Sequence, residues 1–181
     1  MRRALLVCVF ALLAAAPARA HHQHAMSIRL HEAPGVDLLE VIAPTASAQA
    51  ALNRRYAGEP PLALDTVAGK ERFIRYLKET VELSTSDGRL ALGSGGIRVD
   101  AHQVVVRLRA TRPGATEYPL AVHAPCLAEN HGQLVTFRVM GERAGHVVLR
   151  AGSDYRATLT LNHRGDVVAT GHADEHAGHA H

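Results

Sequence analysis

The chain has 181 residues, 47% of them hydrophobic, enough for one domain that buries about 70% of its unfolded surface. Its 20 basic and 17 acidic residues give a formal net charge of +3. Arg2, Arg3 and Arg19 belong to a leader, however, and without them 17 of each sign remain, so the overall charge gives no reason to expect nucleic-acid binding. Three Phe, four Tyr and no Trp leave little aromatic surface for stacking sugars or bases.

Residues 1–20 read as an N-terminal signal helix. Arg2-Arg3 is its basic start, Ala4 to Ala16 its apolar run, and Ala18-Arg19-Ala20 supplies small residues for a cut after Ala20. The apolar run is shorter than the ~20 residues of a membrane span, and no later segment reaches that length, so no membrane insertion is expected once the leader is removed. The expected location is therefore periplasmic or secreted. Cys8 leaves with the leader, which leaves Cys126 without an intrachain disulfide partner.

Met26, Ile28 and Leu30 alternate with Ser27, Arg29 and His31, the two-residue period of a half-buried strand. Ala33-Pro34-Gly35 turns the chain into a second strand, Val36 to Ala43. A first helix follows, capped by Thr45 or Ser47, with Ala48, Leu52 and Tyr56 on one face and Gly58 and Pro60 as its stop. A second helix starts near Asp65 or Thr66. Val67, Ile74, Leu77 and Val81 line one face, with Phe73 beside them, and Gly69 weakens its first turn by about 1 kcal/mol against alanine.

Beyond it the pattern becomes strands and tight turns. Val81 to Thr85 and Arg89 to Leu92 form a hairpin about Asp87-Gly88. Gly93-Ser94-Gly95-Gly96 reads as a flexible break. Strands follow around Val104–Leu108, Leu120–Val122, Val135–Val139, His146–Ala151 and Arg156–Asn162. The expected fold is mainly β: an antiparallel β-sandwich, Ig-like, with two α-helices inserted after the first hairpin. The expected organisation is a leader over 1–20, a single domain over 21–168 with its helical insertion at about 45–80, and a disordered His-rich tail over 169–181.

The segments "VELSTSDGRL" and "CLAENHGQLVTFRV", with the His-containing strand "HHQHAMSIRLHE", carry a resemblance over most of residues 24–162. The chain resembles the soluble periplasmic domain of HupE/UreJ-type permease-like proteins and a similar orphan family of small secreted bacterial proteins. It differs at the late turn, where Ala128-Glu129-Asn130 stands in place of a Pro-Asp type, and it lacks permease helices. The resemblance implies a β-sandwich-like extracytoplasmic domain associated with nickel or cobalt traffic, and no catalytic residue.

Two groups of residues suit metal. The first comprises His21, His22 and His24 at the new N-terminus, with His172, His176, His179 and His181 at the other end. Neutral imidazole suits copper, nickel and zinc. Cleavage would add an α-amine to His21, so amine and ring together chelate Cu(II) or Ni(II). Solvated polar ends with incidental histidines are the alternative. The second group is "HAPCLAENH", which places His123, Cys126, Glu129 and His131 within nine residues, the donor types of a tetrahedral zinc or soft copper site. Its spacing matches no standard zinc pattern, and the alternative is a strand-to-turn corner with a buried thiol and surface histidines. His102, His146 and His163 read as surface residues. The glycine run lacks the Lys and following helix of a phosphate loop.

The favoured function is non-catalytic binding or buffering of transition-metal ions (copper, nickel or zinc) through the His-rich ends, with a membrane permease or exporter as partner. The alternative is an envelope protein-interaction module in which the histidines are incidental. A copper-dependent oxidase built on His21 is a third reading.

Overall fold

Alternating apolar and polar residues become paired strands over most of residues 25–170, the part of the chain that the computed structural model describes. The first hairpin forms as its period requires. β1 (Ala25–His31) pairs antiparallel with β2 (Asp37–Pro44), sending Met26, Ile28 and Leu30 to one face with Leu39, Val41 and Ala43.

Two helices follow. α1 (Thr45–Arg55) starts after Pro44 without a side-chain cap, because the Thr45 hydroxyl instead donates to the Asp100 carbonyl at 2.8 Å. Ser47, Ala48, Ala51 and Leu52 form its buried side. α2 (Val67–Thr80) is capped by Thr66, whose hydroxyl oxygen accepts from the Gly69 amide at 3.1 Å. Its buried side agrees with the expected one at Phe73 and Leu77 and departs from it at Val67. Gly69, Phe73, Tyr76 and Leu77 face the core, whereas Val67 is 74% exposed on the first turn. Gly69 is there for close approach: a Cβ at this position would stand 2.0 Å from the Ala63 carbonyl oxygen.

The remaining strands are β3 (Glu82–Thr85), β4 (Gly88–Arg89), β5 (Ala91–Val99), β6 (Gln103–Thr111), β7 (Leu120–His123), β8 (Leu134–Met140), β9 (Gly145–Leu149), β10 (Arg156–Leu161) and β11 (Val167–Thr170). They make two sheets, one ordered β5-β6-β2-β1-β8-β9 and the other β11-β10-β7-β3-β4. The fold is mainly β, with both helices between the first hairpin and β3. One pairing breaks the antiparallel expectation, since β1 runs parallel to β8 from Ala25↔Leu134 to His31↔Met140.

Two segments expected to be irregular are strand. Gly93 to Gly96 lie inside β5 and pair with β6 across a register shift between Leu92 and Gly95. Pairing also continues past Val168, with Ala169 opposite Leu159 and Thr170 opposite Thr158. The inward residues of both sheets and both helices form one buried core, in which Phe73, Tyr76, Leu77, Val106, Leu120 and Phe137 are fully enclosed. No helix among the described residues is long and apolar enough to cross a membrane.

Candidate functional site

His21, His22, His24, His172, His176, His179 and His181 lie outside the described residues, as does the leader. The second candidate group is described, and the structure does not bring it together. Strand alternation turns the His123 side chain to the outer surface of its sheet, opposite Glu82 on β3 and Arg156 on β10. Three residues later the chain has turned inward, and Cys126 is completely buried. His131 is exposed beyond the turn. Among the described residues, no group of three or more His, Cys, Asp or Glu is placed to hold a metal ion.

The corner around Cys126 is instead a hydrogen-bonded lock. Leu127 takes a left-handed conformation, φ 60°, and its amide donates to the Tyr76 hydroxyl at 2.6 Å. That hydroxyl donates in turn to the Glu129 carboxylate at 2.7 Å. The Thr80 hydroxyl donates to the Tyr76 carbonyl at 2.8 Å, and its oxygen lies 3.3 Å from the Cys126 thiol, a contact in which either atom can donate. Burial pushes that thiol up to about 12, with the Glu129 carboxylate adding to the rise and the Thr80 contact opposing it. A thiol held protonated by burial is a weak nucleophile. Burial, then the neighbouring Cys126 and Glu129, likewise raise the Tyr76 hydroxyl well above its ordinary range.

Two cavities are bordered by charged side chains, some of which pair with one another. One, of about 570 Å³, lies on the outer face of the five-stranded sheet beside the Glu82–His123–Arg156 row, where Arg156 pairs with Asp154 at 3.0 Å. The other, of about 650 Å³, is bordered by Glu32, Asp37, Arg112, Glu117, Glu142 and Arg143, an excess of carboxylates. There Arg112 binds Asp37 at 2.8 Å and Glu32 at 3.1 Å, and Arg143 pairs with Glu117.

The outer face of the six-stranded sheet is different. In register across it, Arg107 on β6 stands opposite Glu40 on β2, Glu40 opposite Arg29 on β1, Arg29 opposite Arg138 on β8, and Arg138 opposite His146 on β9. The row two residues along holds Arg109, Leu38, His31 and Met140. The row on the other side begins with Arg98 on β5, opposite Val105, and ends with Val148 on β9. Five arginines therefore share this face with one carboxylate in the strands.

Glu40 is only 6% exposed and is already divided between Arg107 at 2.8 Å and Arg29 at 3.3 Å. The Arg107 hydrogen bond holds its carboxyl below the usual range, helped by the charges of Arg107 and Arg29 against the opposing effect of burial. Arg98, Arg109 and Arg138 are exposed, and none forms an ion pair with a described residue. Like charges directly opposite on neighbouring strands, as Arg29 and Arg138 are, destabilise a sheet. Leu38, Leu134, Met140 and Val148, each 36% exposed or more, lie on the same face.

The chain matches no family model. A comparison with curated proteins likewise finds no match.

The basic face was not anticipated from the sequence, although its signal is present there. Arg29, His31, Arg107, Arg109 and Arg138 all occupy the polar phase of alternating strands. What the alternation omits is which strands lie side by side, and only the pairing of β1 with β8 and β2 with β6 gathers these side chains onto one surface.

Proposed function

We propose that the protein is a non-catalytic, secreted or periplasmic interaction module that docks an acidic partner on the outer face of its six-stranded sheet. We read its two sheets, joined by one core, as a β-sandwich of Ig-like layering. The observation that carries the function is the surplus of four positive charges among the strand residues of one sheet face, with Arg109 and Arg138 outside any ion pair with a described residue. Cations held in rows on a rigid sheet are pre-organised for a partner that supplies the missing negative charge, and such complementarity speeds encounter and fixes register.

Retention of the chain on immobilised poly-glutamate tests this reading. Binding should weaken as salt rises and fall sharply in an Arg109→Gln/Arg138→Gln variant. Retention of that variant equal to the parent's would refute it.

The seven histidines at the two ends support a second reading, transition-metal binding by the ends themselves. Calorimetry with Cu(II), Ni(II) and Zn(II) tests it on the chain from His21 and on one ending at Thr170. Loss of binding on truncation assigns the metal to residues 171–181. Unchanged binding assigns it to the His21 end, and no binding by either form refutes the metal reading.

A further inference from the structure

We propose that the occupant of this basic face is an anionic lipid surface, an inference that rests on the face being the docking surface of the module. The first argument is shape. The arginines run from Arg98 on edge strand β5 to Arg138 on β8. At about 4.8 Å per strand this is a span of about 19 Å. Charges spread in rows over a sheet, instead of converging on one point, match a partner that is itself extended and carries many anions. The headgroup plane of an anionic bilayer is such a partner.

The second argument concerns what lies between the arginines. Leu38, Leu134, Met140 and Val148 are exposed there, and no strand of the sheet presents Phe, Tyr or Trp outward. Protein interfaces draw most of their binding energy from buried aromatic and arginine anchors set in pockets. This face has the arginines without the aromatic anchors. Short aliphatic side chains among guanidinium groups suit shallow contact at a headgroup layer, where the guanidinium fork matches phosphate oxygens.

The third argument is that the nearest carboxylates do not cancel the charge. Glu40 is shared by two arginines on the face. Asp100, in the β5–β6 turn, accepts from the amides of His102 and Gln103 and offsets part of the charge of Arg98, leaving Arg109 and Arg138 untouched. Glu32, just past β1, is held by Arg112 and the Tyr118 hydroxyl.

Co-sedimentation with vesicles tests the inference, comparing phosphatidylglycerol mixed with phosphatidylcholine against phosphatidylcholine alone. The chain from His21 should sediment with the anionic vesicles only. Each arginine near an anionic leaflet is worth about fivefold in affinity, the equivalent of about 1 kcal/mol. Arg109→Gln/Arg138→Gln should therefore lose roughly 25-fold, while Arg109→Lys/Arg138→Lys retains most of the binding. Arg75→Gln/Arg164→Gln removes the same net charge from α2 and the β10–β11 turn and should leave affinity unchanged. Arg98→Gln on the edge strand disturbs the fold least and should lose about fivefold by itself.

Equal binding to neutral vesicles, equal binding by the Gln variants and the parent, or no binding to vesicles would overturn the inference. If the chain ignores phosphatidylglycerol but binds poly-glutamate through Arg109 and Arg138, the partner is an acidic polypeptide and the docking face stands without the lipid. If it binds neither, both readings fall.

Discussion

The Tyr76 hydroxyl joins α2 to the corner after β7 by two hydrogen bonds, one accepted from a buried amide and one donated to a carboxylate. Tyr76→Phe keeps the ring in the core and removes only that oxygen, leaving the Leu127 amide unsatisfied. An orphaned buried donor costs about 1–3 kcal/mol, so the urea midpoint should fall with the slope unchanged. An unaltered midpoint would show that the lock contributes nothing. At the same corner the Cys126 thiol, pushed up to about 12 and fully buried, should resist a thiol reagent at mildly alkaline pH until the protein unfolds.

Glu40 gives a prediction with a defined sign. Its folded carboxyl titrates below its ordinary value of 4.5 because Arg107 and Arg29 favour the charged form. The resulting stabilisation is present in full above the unfolded value and is lost as pH falls through the lower folded one. The stability gap between the parent and Glu40→Gln should therefore be constant from neutral pH down to about 5 and close in more acid solution. A gap that widens on acidification would contradict the ion pairs as described.

At the scale of elements, β5 shows how a glycine run can belong to a strand. A Cβ on Gly95 would stand 1.8 Å from the Arg107 carbonyl oxygen, a backbone atom that cannot turn aside, whereas at Gly96 nothing lies within 4 Å. Gly95→Ala should thus cost about 1–3 kcal/mol by overpacking, and Gly96→Ala less than about 0.5 kcal/mol, both read from urea unfolding. Equal effects would mean that the glycines serve only chain flexibility.

The same strand marks where the sequence stops being informative. Glycine by its local preference marks a turn, but here the approach of β6 demands it, and that is a tertiary fact. The hairpin of β1 and β2 was legible because its alternation and its turn are both local. The start of α2 near Thr66 was legible for the same reason. The buried side of α2 was misjudged at Val67, since an apolar residue on a first turn meets the core only if the turn itself does. The Cys126 group looked convergent in sequence, yet strand alternation separates His123 from Cys126. The basic face failed to show because it depends on a parallel pairing between strands far apart in the chain, which no local pattern encodes.

At the scale of the molecule, the two sheets have little means of unfolding separately. Their inward residues and those of both helices share one core, and the sheets also touch where β9 meets β11. Gly145 marks that contact, since a Cβ there would stand 2.4 Å from the Val167 carbonyl oxygen. A structure with one core loses the packing of both layers when either is opened, and it should unfold as one cooperative unit. Far-UV circular dichroism, which follows all the strands, and tyrosine fluorescence, which follows the core through Tyr76 and Tyr155, should give superimposable urea transitions. Leu83→Ala on the five-stranded sheet and Val135→Ala on the six-stranded sheet each remove a buried side chain. Each should lower both midpoints together, by about 2–5 kcal/mol for the leucine and less for the smaller valine. If Leu83→Ala instead moves one signal and leaves the other in place, the sheets are energetically separate. The basic face would then rest on a layer that stands without its neighbour.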